Sequence, residues 1–121
     1  MRYVPAIAWA LFILVICGFS GDKIPNIKLL NQFSADKLIH GFMFFVLVYL
    51  LCKAEKNRPD FLMQLRFYFL LDACMFGLLM EYCQTHFFVN RFGEWIDVLA
   101  NSLGALLAFL IFIFINQKQT T

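Results

Sequence analysis

Three short polar segments contain the residues of this chain whose types and spacing could do chemistry. Each segment contributes two polar residues three or four positions apart, which share one face of a helix: Asp36 with His40, Glu81 with Gln84, and Asp97 with Asn101. Carboxyl groups and an imidazole, when removed from water, can exchange protons with a substrate near neutral pH. His40, Glu81 and Asp97 are therefore the candidate catalytic residues.

The same segments could instead bind the headgroup of a lipid. Arg91, His40 and Gln84 offer hydrogen-bond donors to a phosphate or carboxylate group. The candidate ligand-binding residues in and beside these segments are Asp36, His40, Glu81, Gln84, Arg91, Asp97 and Asn101. The chain has no recognised metal-ligand spacing, nucleophile motif or glycine-rich phosphate loop, so we predict neither a metal nor a cofactor.

A structural role is the alternative for the acids in first helical turns. Acids such as Asp36 and Asp97 stabilise a helix N-terminus by about 0.3–1 kcal/mol without any function. Glu81 differs, because it lies near the predicted C-terminal end of a helix, where the helix dipole disfavours negative charge. It needs a cationic partner, a proton or a ligand, and Arg91 and His40 are the available partners.

The composition is that of a membrane protein. Of 121 residues, 62% are hydrophobic and only 15% charged, with 16 Phe. Soluble domains have roughly 45–50% apolar and about 25% charged residues, so a soluble enzyme is excluded. The net charge of +2 is too small and dispersed to indicate nucleic-acid binding. The four cysteines form no CxxC pair, and we interpret them as apolar fillers.

The apolar segments predict an all-α bundle of four transmembrane helices in a single domain over residues 1–121. We expect helices at about 3–19, 34–52, 61–83 and 95–115, with the first retained as a helix and Ser34 as the N-cap of the second. In an antiparallel bundle, the start of the second helix, the end of the third and the start of the fourth meet at one membrane face. The three polar segments lie at those three places.

Two further features concern helix packing and intramembrane charge. Ala100, Gly104 and Ala108 repeat every four residues, which predicts close packing of the third and fourth helices. Asp72 lies deeper than Glu81, either as a functional carboxyl group or as a protonated one bonded to a neighbouring helix. Arg66 is expected to extend to the nearby interface.

The distribution of basic residues favours an orientation with both termini in the cytoplasm. In that orientation six basic residues lie inside, namely Arg2, Lys53, Lys56, Arg58, Arg66 and Lys118. Four lie outside, namely Lys23, Lys28, Lys37 and Arg91. The polar segments then face outward, and we expect a multi-pass protein of the bacterial cytoplasmic (inner) membrane.

The polar segments also resemble a known family. The runs Ser34-Ala-Asp36-Lys37-Leu-Ile-His40, Glu81-Tyr-Cys-Gln84 and Arg91-Phe-Gly-Glu94-Trp-Ile-Asp97-Val-Leu-Ala-Asn101-Ser-Leu-Gly104 are similar to the VanZ-like family of small bacterial membrane proteins. The resemblance implies a cell-envelope protein, and the namesake activity is resistance to the glycopeptide antibiotic teicoplanin. It carries over Asp36, Lys37, His40, Glu81, Gln84, Arg91, Asp97, Asn101 and Gly104, and it implies that Lys37 is an eighth candidate ligand-binding residue. Ala108 departs from the pattern, because family members often have a second glycine there.

We therefore expect an outer-face polar site that recognises an envelope component or a lipid headgroup. The expected partners are membrane lipids or a lipid-linked envelope component, with a possible homo-oligomer and no nucleic acid. Three alternatives stay open: an enzyme that modifies a lipid or lipid-linked precursor, a small lipid or solute transporter that uses Asp72 as a proton relay, and a polar cluster that only fixes helix packing.

Overall fold

The fold consists of four α-helices. The computed structural model describes residues 1–18, 33–56, 62–87 and 94–117. Its helices are α1 (Val4–Gly18), α2 (Phe33–Ala54), α3 (Leu62–Phe87) and α4 (Trp95–Gln117). The described residues contain no strand. The prediction of an all-α protein with four helices is confirmed.

Two helix boundaries differ from the predicted ones. Helix α2 begins at Phe33, so Ser34 lies within its first turn and not at the N-cap. Helix α3 continues past the predicted end at Cys83 to Phe87. The extension is polar, but Thr85 Oγ1 donates a hydrogen bond to the Glu81 carbonyl four residues earlier, at 2.9 Å, so this side chain adds no unmet polar group to the helix.

Three of the helices are long and apolar enough to cross a membrane. The candidate spans are Lys37–Ala54, Met63–Phe87 and Trp95–Ile115. Helix α1 is apolar but shorter, with 15 residues. At 1.5 Å per residue it is about 22 Å long, whereas the hydrocarbon layer is about 30 Å thick. A crossing by the first helix therefore stays a prediction.

Helices α2 and α4 make the most extensive contact in the bundle. A Cβ atom placed on Gly104 would lie 1.9 Å from the carbonyl oxygen of Gly41, so the two backbones touch directly. Helix α3 also packs against α4, as the small-residue repeat predicts. The closest approach of Gly104, however, is to α2 and not to α3, because its glycine partner lies on α2.

Side-chain hydrogen bonds to backbone carbonyls attach α1 to the bundle. Trp9 Nε1 donates to the Met43 carbonyl at 2.9 Å, and Gln84 Nε2 donates to the Cys17 carbonyl at 3.1 Å. Cys17 lies in the last turn of α1, where carbonyls have no partner within the helix. Helix α1 packs against α2 and α3, whereas none of its described Cα atoms lies within 8 Å of a Cα atom of α4.

The core lies along the inner faces of all four helices. Its most buried side chains include Ile13, Phe44, Val48, Cys52, Ala105 and Ala108. The four cysteines are free, with Cys17 and Cys52 buried and Cys74 and Cys83 partly buried. Many large apolar side chains lie on the outside of the bundle. That distribution is expected of a protein surrounded by lipid.

Candidate functional site

One end of the bundle, where α2 begins, α3 ends and α4 begins, is called the polar end below. Lys37 from α2 reaches α4 there, and its ammonium group pairs with the carboxylates of Asp97 and Glu94, the latter at 2.8 Å. The Lys37 and Asp97 side chains are 16% and 9% exposed, whereas that of Glu94 is 47% exposed. One cation is therefore shared by a buried carboxylate and an exposed one.

Glu81 links α3 to the same group of residues. Its Oε2 accepts a hydrogen bond from the backbone amide of Glu94 at 3.0 Å, and the residue is buried. Glu94 lies immediately before α4, and its carbonyl accepts bonds from the Asp97 and Val98 amides in the first turn. The acid near the end of α3 thus bonds to the residue immediately before α4.

Two buried polar side chains lie further into the bundle. Asn101 is one helical turn beyond Asp97 on α4, at the level of Gly77, and is 1% exposed. Its amide Nδ2 and Oδ1 have no hydrogen-bond partner among the described residues. His40 is 4% exposed on α2, next to Gly41, which lies against Ala100 of α4. We name as the polar cluster the residues Lys37, His40, Glu81, Glu94, Asp97 and Asn101.

The structure brings five of the eight predicted ligand-binding residues to this cluster, namely Lys37, His40, Glu81, Asp97 and Asn101. Gln84 is buried but donates its amide to α1, so its Nε2 has an architectural role. The side chain of Asp36 and the whole of Arg91 lie outside the described residues. The predicted partnership of Glu81 with Arg91 therefore stays a prediction.

Glu94 was not among the candidate site residues predicted from the sequence. In the structure it contacts α2 through its carboxylate and α3 through its amide. A signal was present, since Glu94 immediately precedes a helix and stands three residues before Asp97. That spacing does not reveal which lysine or glutamate lies opposite.

A second polar group, also missed, lies at the opposite end of the bundle, where α1 and α3 begin and α2 and α4 end. Glu55 follows α2 and is 2% exposed. Its Oε1 accepts a hydrogen bond from the Tyr3 hydroxyl and forms an ion pair with Arg2 Nε at 3.1 Å. We name Arg2, Tyr3 and Glu55 the N-terminal clasp, because they join the start of α1 to the end of α2.

Arg66 differs from its sequence-based expectation. It is 6% exposed and does not extend to the interface. Its guanidinium carbon lies 4.8 Å from the centroid of the Phe112 ring on α4, a cation–π geometry. Its Nε has no hydrogen-bond partner in the part of the chain that the structure describes.

Asp72 lies on the outer surface of α3, near the middle of the helix. No hydrogen bond or ion pair joins it to the described residues of the other helices. The structural alternative was a protonated Asp72 bonded to a neighbouring helix, and the described residues contain no such bond. Its proton-relay role is untested.

The polar cluster suits polar recognition at the edge of a hydrocarbon layer. It presents three carboxylates, one lysine, an imidazole and an amide within apolar surroundings. Among the described residues, no group of three or more His, Cys, Asp or Glu is placed to hold a metal ion. The available chemistry is hydrogen bonding, ion pairing and proton exchange.

Comparison with known proteins assigns the chain to a family. No curated protein and no solved structure matches it. A family model described as VanZ/LLP1 matches residues 4–116, nearly the whole chain. The matched region includes α1, α2, α3, all of α4 except its final residue, and every residue of the polar cluster. The chain therefore belongs to the VanZ/LLP1 family, a membership that fits a membrane protein of the cell envelope linked to glycopeptide resistance.

Proposed function

We propose that the polar cluster binds the headgroup of a membrane lipid or lipid-linked envelope component. In this proposal the polar end faces outward from the bacterial cytoplasmic membrane, and both termini are cytoplasmic. The excess of basic residues predicted on the inner side supports that orientation. A site at this level meets lipid headgroups where they leave the hydrocarbon layer.

The observation that carries the proposal is the Asn101 amide. It is almost fully buried, and both of its polar atoms lack a partner among the described residues. A buried polar group without partners is destabilising by about 1–3 kcal/mol and is uncommon in native proteins. A bound headgroup that both donates and accepts hydrogen bonds would satisfy it.

The charge of the cluster favours a headgroup that bears hydrogen-bond donors. Glu81, Glu94 and Asp97 outnumber the single Lys37, whose ammonium is already shared by two of them. An ammonium group complements such a site better than an additional anion does. Phosphatidylethanolamine, which combines an ammonium with a phosphate, is therefore our first probe, and phosphatidylglycerol is the comparison.

A link to glycopeptide resistance follows if the bound headgroup belongs to a lipid that the antibiotic action depends on. Binding alone would then change the amount or the accessibility of that lipid. This role requires no covalent chemistry in the cluster.

The test is native mass spectrometry of delipidated protein titrated with dioleoyl phosphatidylethanolamine and with dioleoyl phosphatidylglycerol. We expect the wild type to bind phosphatidylethanolamine more tightly than phosphatidylglycerol. Asn101→Leu preserves the shape of the side chain and removes its polar atoms. It should weaken phosphatidylethanolamine binding about tenfold, the effect of about 1.4 kcal/mol in hydrogen bonding.

Gln64→Leu is the matched control. It removes an amide from an exposed position near the start of α3, at the opposite end of the bundle. Its binding should equal that of the wild type. The proposal would be contradicted if the wild type bound both lipids equally, or if Asn101→Leu bound phosphatidylethanolamine as tightly as the wild type.

A further inference from the structure

A groove runs between α2 and α4, next to the polar cluster. It measures about 680 Å³. Its lining residues are Lys37, Leu38, Gly41, Phe42, Phe45, Ala100, Leu103, Gly104 and Leu107. All of them are apolar except Lys37, which lies at one end. From Lys37 to Phe45 the groove follows α2 for about 12 Å.

The contact between Gly41 and Gly104 shapes the groove. Since the two backbones touch there, the helices offer no side chain at the floor. Phe42 from α2 and Leu103 and Leu107 from α4 are more than half exposed and stand on either side of it. The result is a long depression with apolar walls and a floor of glycine backbone.

We propose that this groove holds a hydrocarbon chain of the lipid whose headgroup occupies the polar cluster. The inference rests on the proposed function and narrows its ligand to a lipid, as opposed to a water-soluble molecule. Both walls belong to helices long enough to span a membrane, so the groove opens towards hydrocarbon. Water has no favourable partner along an apolar wall, whereas a lipid chain matches it.

Lys37 makes the groove and the polar cluster continuous. It lines the end of the groove, and the same side chain pairs with Asp97 and Glu94. A lipid whose headgroup lies at these carboxylates would have its chain directed along α2 and α4, away from the polar end. One molecule would occupy both places.

The test is photolabelling in vesicles of phosphatidylcholine that contain a trace of phosphatidylethanolamine with a diazirine in its acyl chain. Adducts are mapped by mass spectrometry on the full-length protein. We expect several-fold more adducts on Leu103 and Leu107 than on Leu106 and Leu110, which face lipid outside the groove. Replacing part of the phosphatidylcholine with unlabelled phosphatidylethanolamine should reduce only the groove adducts, because a specific site saturates and the surrounding lipid does not.

Two substitutions that fill the groove provide the matched comparison. Leu107→Trp should reduce the groove adducts several-fold, whereas Leu106→Trp, at the neighbouring position outside the groove, should leave them unchanged. Leu103→Trp with Leu99→Trp is a second pair, in case the first affects folding. All four leucines are at least 40% exposed, so the core is not disturbed.

The outcomes separate this inference from the proposed function. Equal labelling inside and outside the groove, without competition, overturns the inference even if Asn101→Leu weakens headgroup binding. Groove labelling that is competed in the wild type and unchanged in Asn101→Leu supports the groove and contradicts the proposed headgroup site. Adducts on Leu106 and Leu110 with none on Leu103 and Leu107 overturn the inference, because that pattern is expected when a second copy of the protein covers the groove.

Discussion

The two ends of the bundle treat buried polar groups in different ways. In the N-terminal clasp, one buried carboxylate accepts a hydrogen bond from Tyr3 and forms an ion pair with Arg2. In the polar cluster, one lysine serves two carboxylates, and the Asn101 amide one turn deeper has no partner among the described residues. At the first end the buried carboxylate has its partners. At the second end the buried amide has none among the described residues.

This difference separates what stabilises the fold from what is available to a ligand. A satisfied buried network contributes to stability, whereas a partly satisfied one is destabilising unless something else completes it. We therefore expect substitutions in the clasp to affect folding alone. In the polar cluster, some substitutions should affect folding and others only binding.

The largest effect is expected from Lys37→Met, which removes the shared cation. The buried Asp97 carboxylate then lacks its partner, and breaking a buried ion pair is destabilising by about 3–5 kcal/mol. Unfolding of the purified protein in detergent measures the loss. Lys53→Met, which removes an exposed lysine from the same helix, should have little effect. If both variants unfold alike, the pairing with Asp97 does not stabilise the fold.

A smaller loss, about 1–3 kcal/mol, is expected from Glu55→Leu in the clasp. The variant leaves Tyr3 without its acceptor, but Arg2 is 45% exposed and can be hydrated. The same unfolding assay measures it, and lipid binding of the folded fraction should be normal. Tyr3→Phe should reproduce part of the loss, and Tyr68→Phe, at an exposed tyrosine, none of it. A loss of lipid binding in Glu55→Leu would contradict the separation of the two ends.

Arg66→Met should change stability by no more than about 1 kcal/mol in either direction. The variant loses a cation–π contact with Phe112, which is worth about 0.5–2 kcal/mol, but it also removes a buried cation that has no carboxylate partner among the described residues. Measuring Arg66→Met and Lys37→Met in the same unfolding assay compares the stability lost with an unpaired buried cation to that lost with a paired one. A loss equal to that of Lys37→Met would indicate that Arg66 has an anionic partner.

The smallest effect on stability is expected from Asn101→Leu, although its effect on lipid binding should be large. Replacing an unpartnered buried amide with an apolar group of the same shape is neutral or stabilising. A melting temperature equal to or above that of the wild type, together with weakened phosphatidylethanolamine binding, is the expected result. A marked drop in melting temperature would show that the amide is needed for packing.

Much of the fold was predictable, because the apolar segments are long and the chain is short. The helix count followed from them, and so did the convergence of Lys37, Glu81 and Asp97 at one end. Antiparallel connection alone brings those three helix ends together. The end of α3 was placed too early, since the helix continues to Phe87, and in this extension Thr85 donates a hydrogen bond to the Glu81 carbonyl.

Contacts between helices were less predictable. A repeat of small residues on α4 indicates close packing but does not identify the partner helix. The partner of Gly104 is α2, because Gly41 allows the two backbones to touch. The burial of Glu55 and Arg66 was missed for a similar reason. Whether a charged side chain near a helix end turns inward depends on the ring or donor that a distant segment places beside it.

The contact between α2 and α4 also affects the order in which the helices can pack during synthesis. Lys37 precedes Asp97 by 60 residues, and the ribosome adds roughly 5–20 residues per second, so several seconds separate the two partners. During that interval α2 has neither the carboxylate for its lysine nor the backbone that covers Gly41. Helix α2 can complete its packing only after α4 has been made.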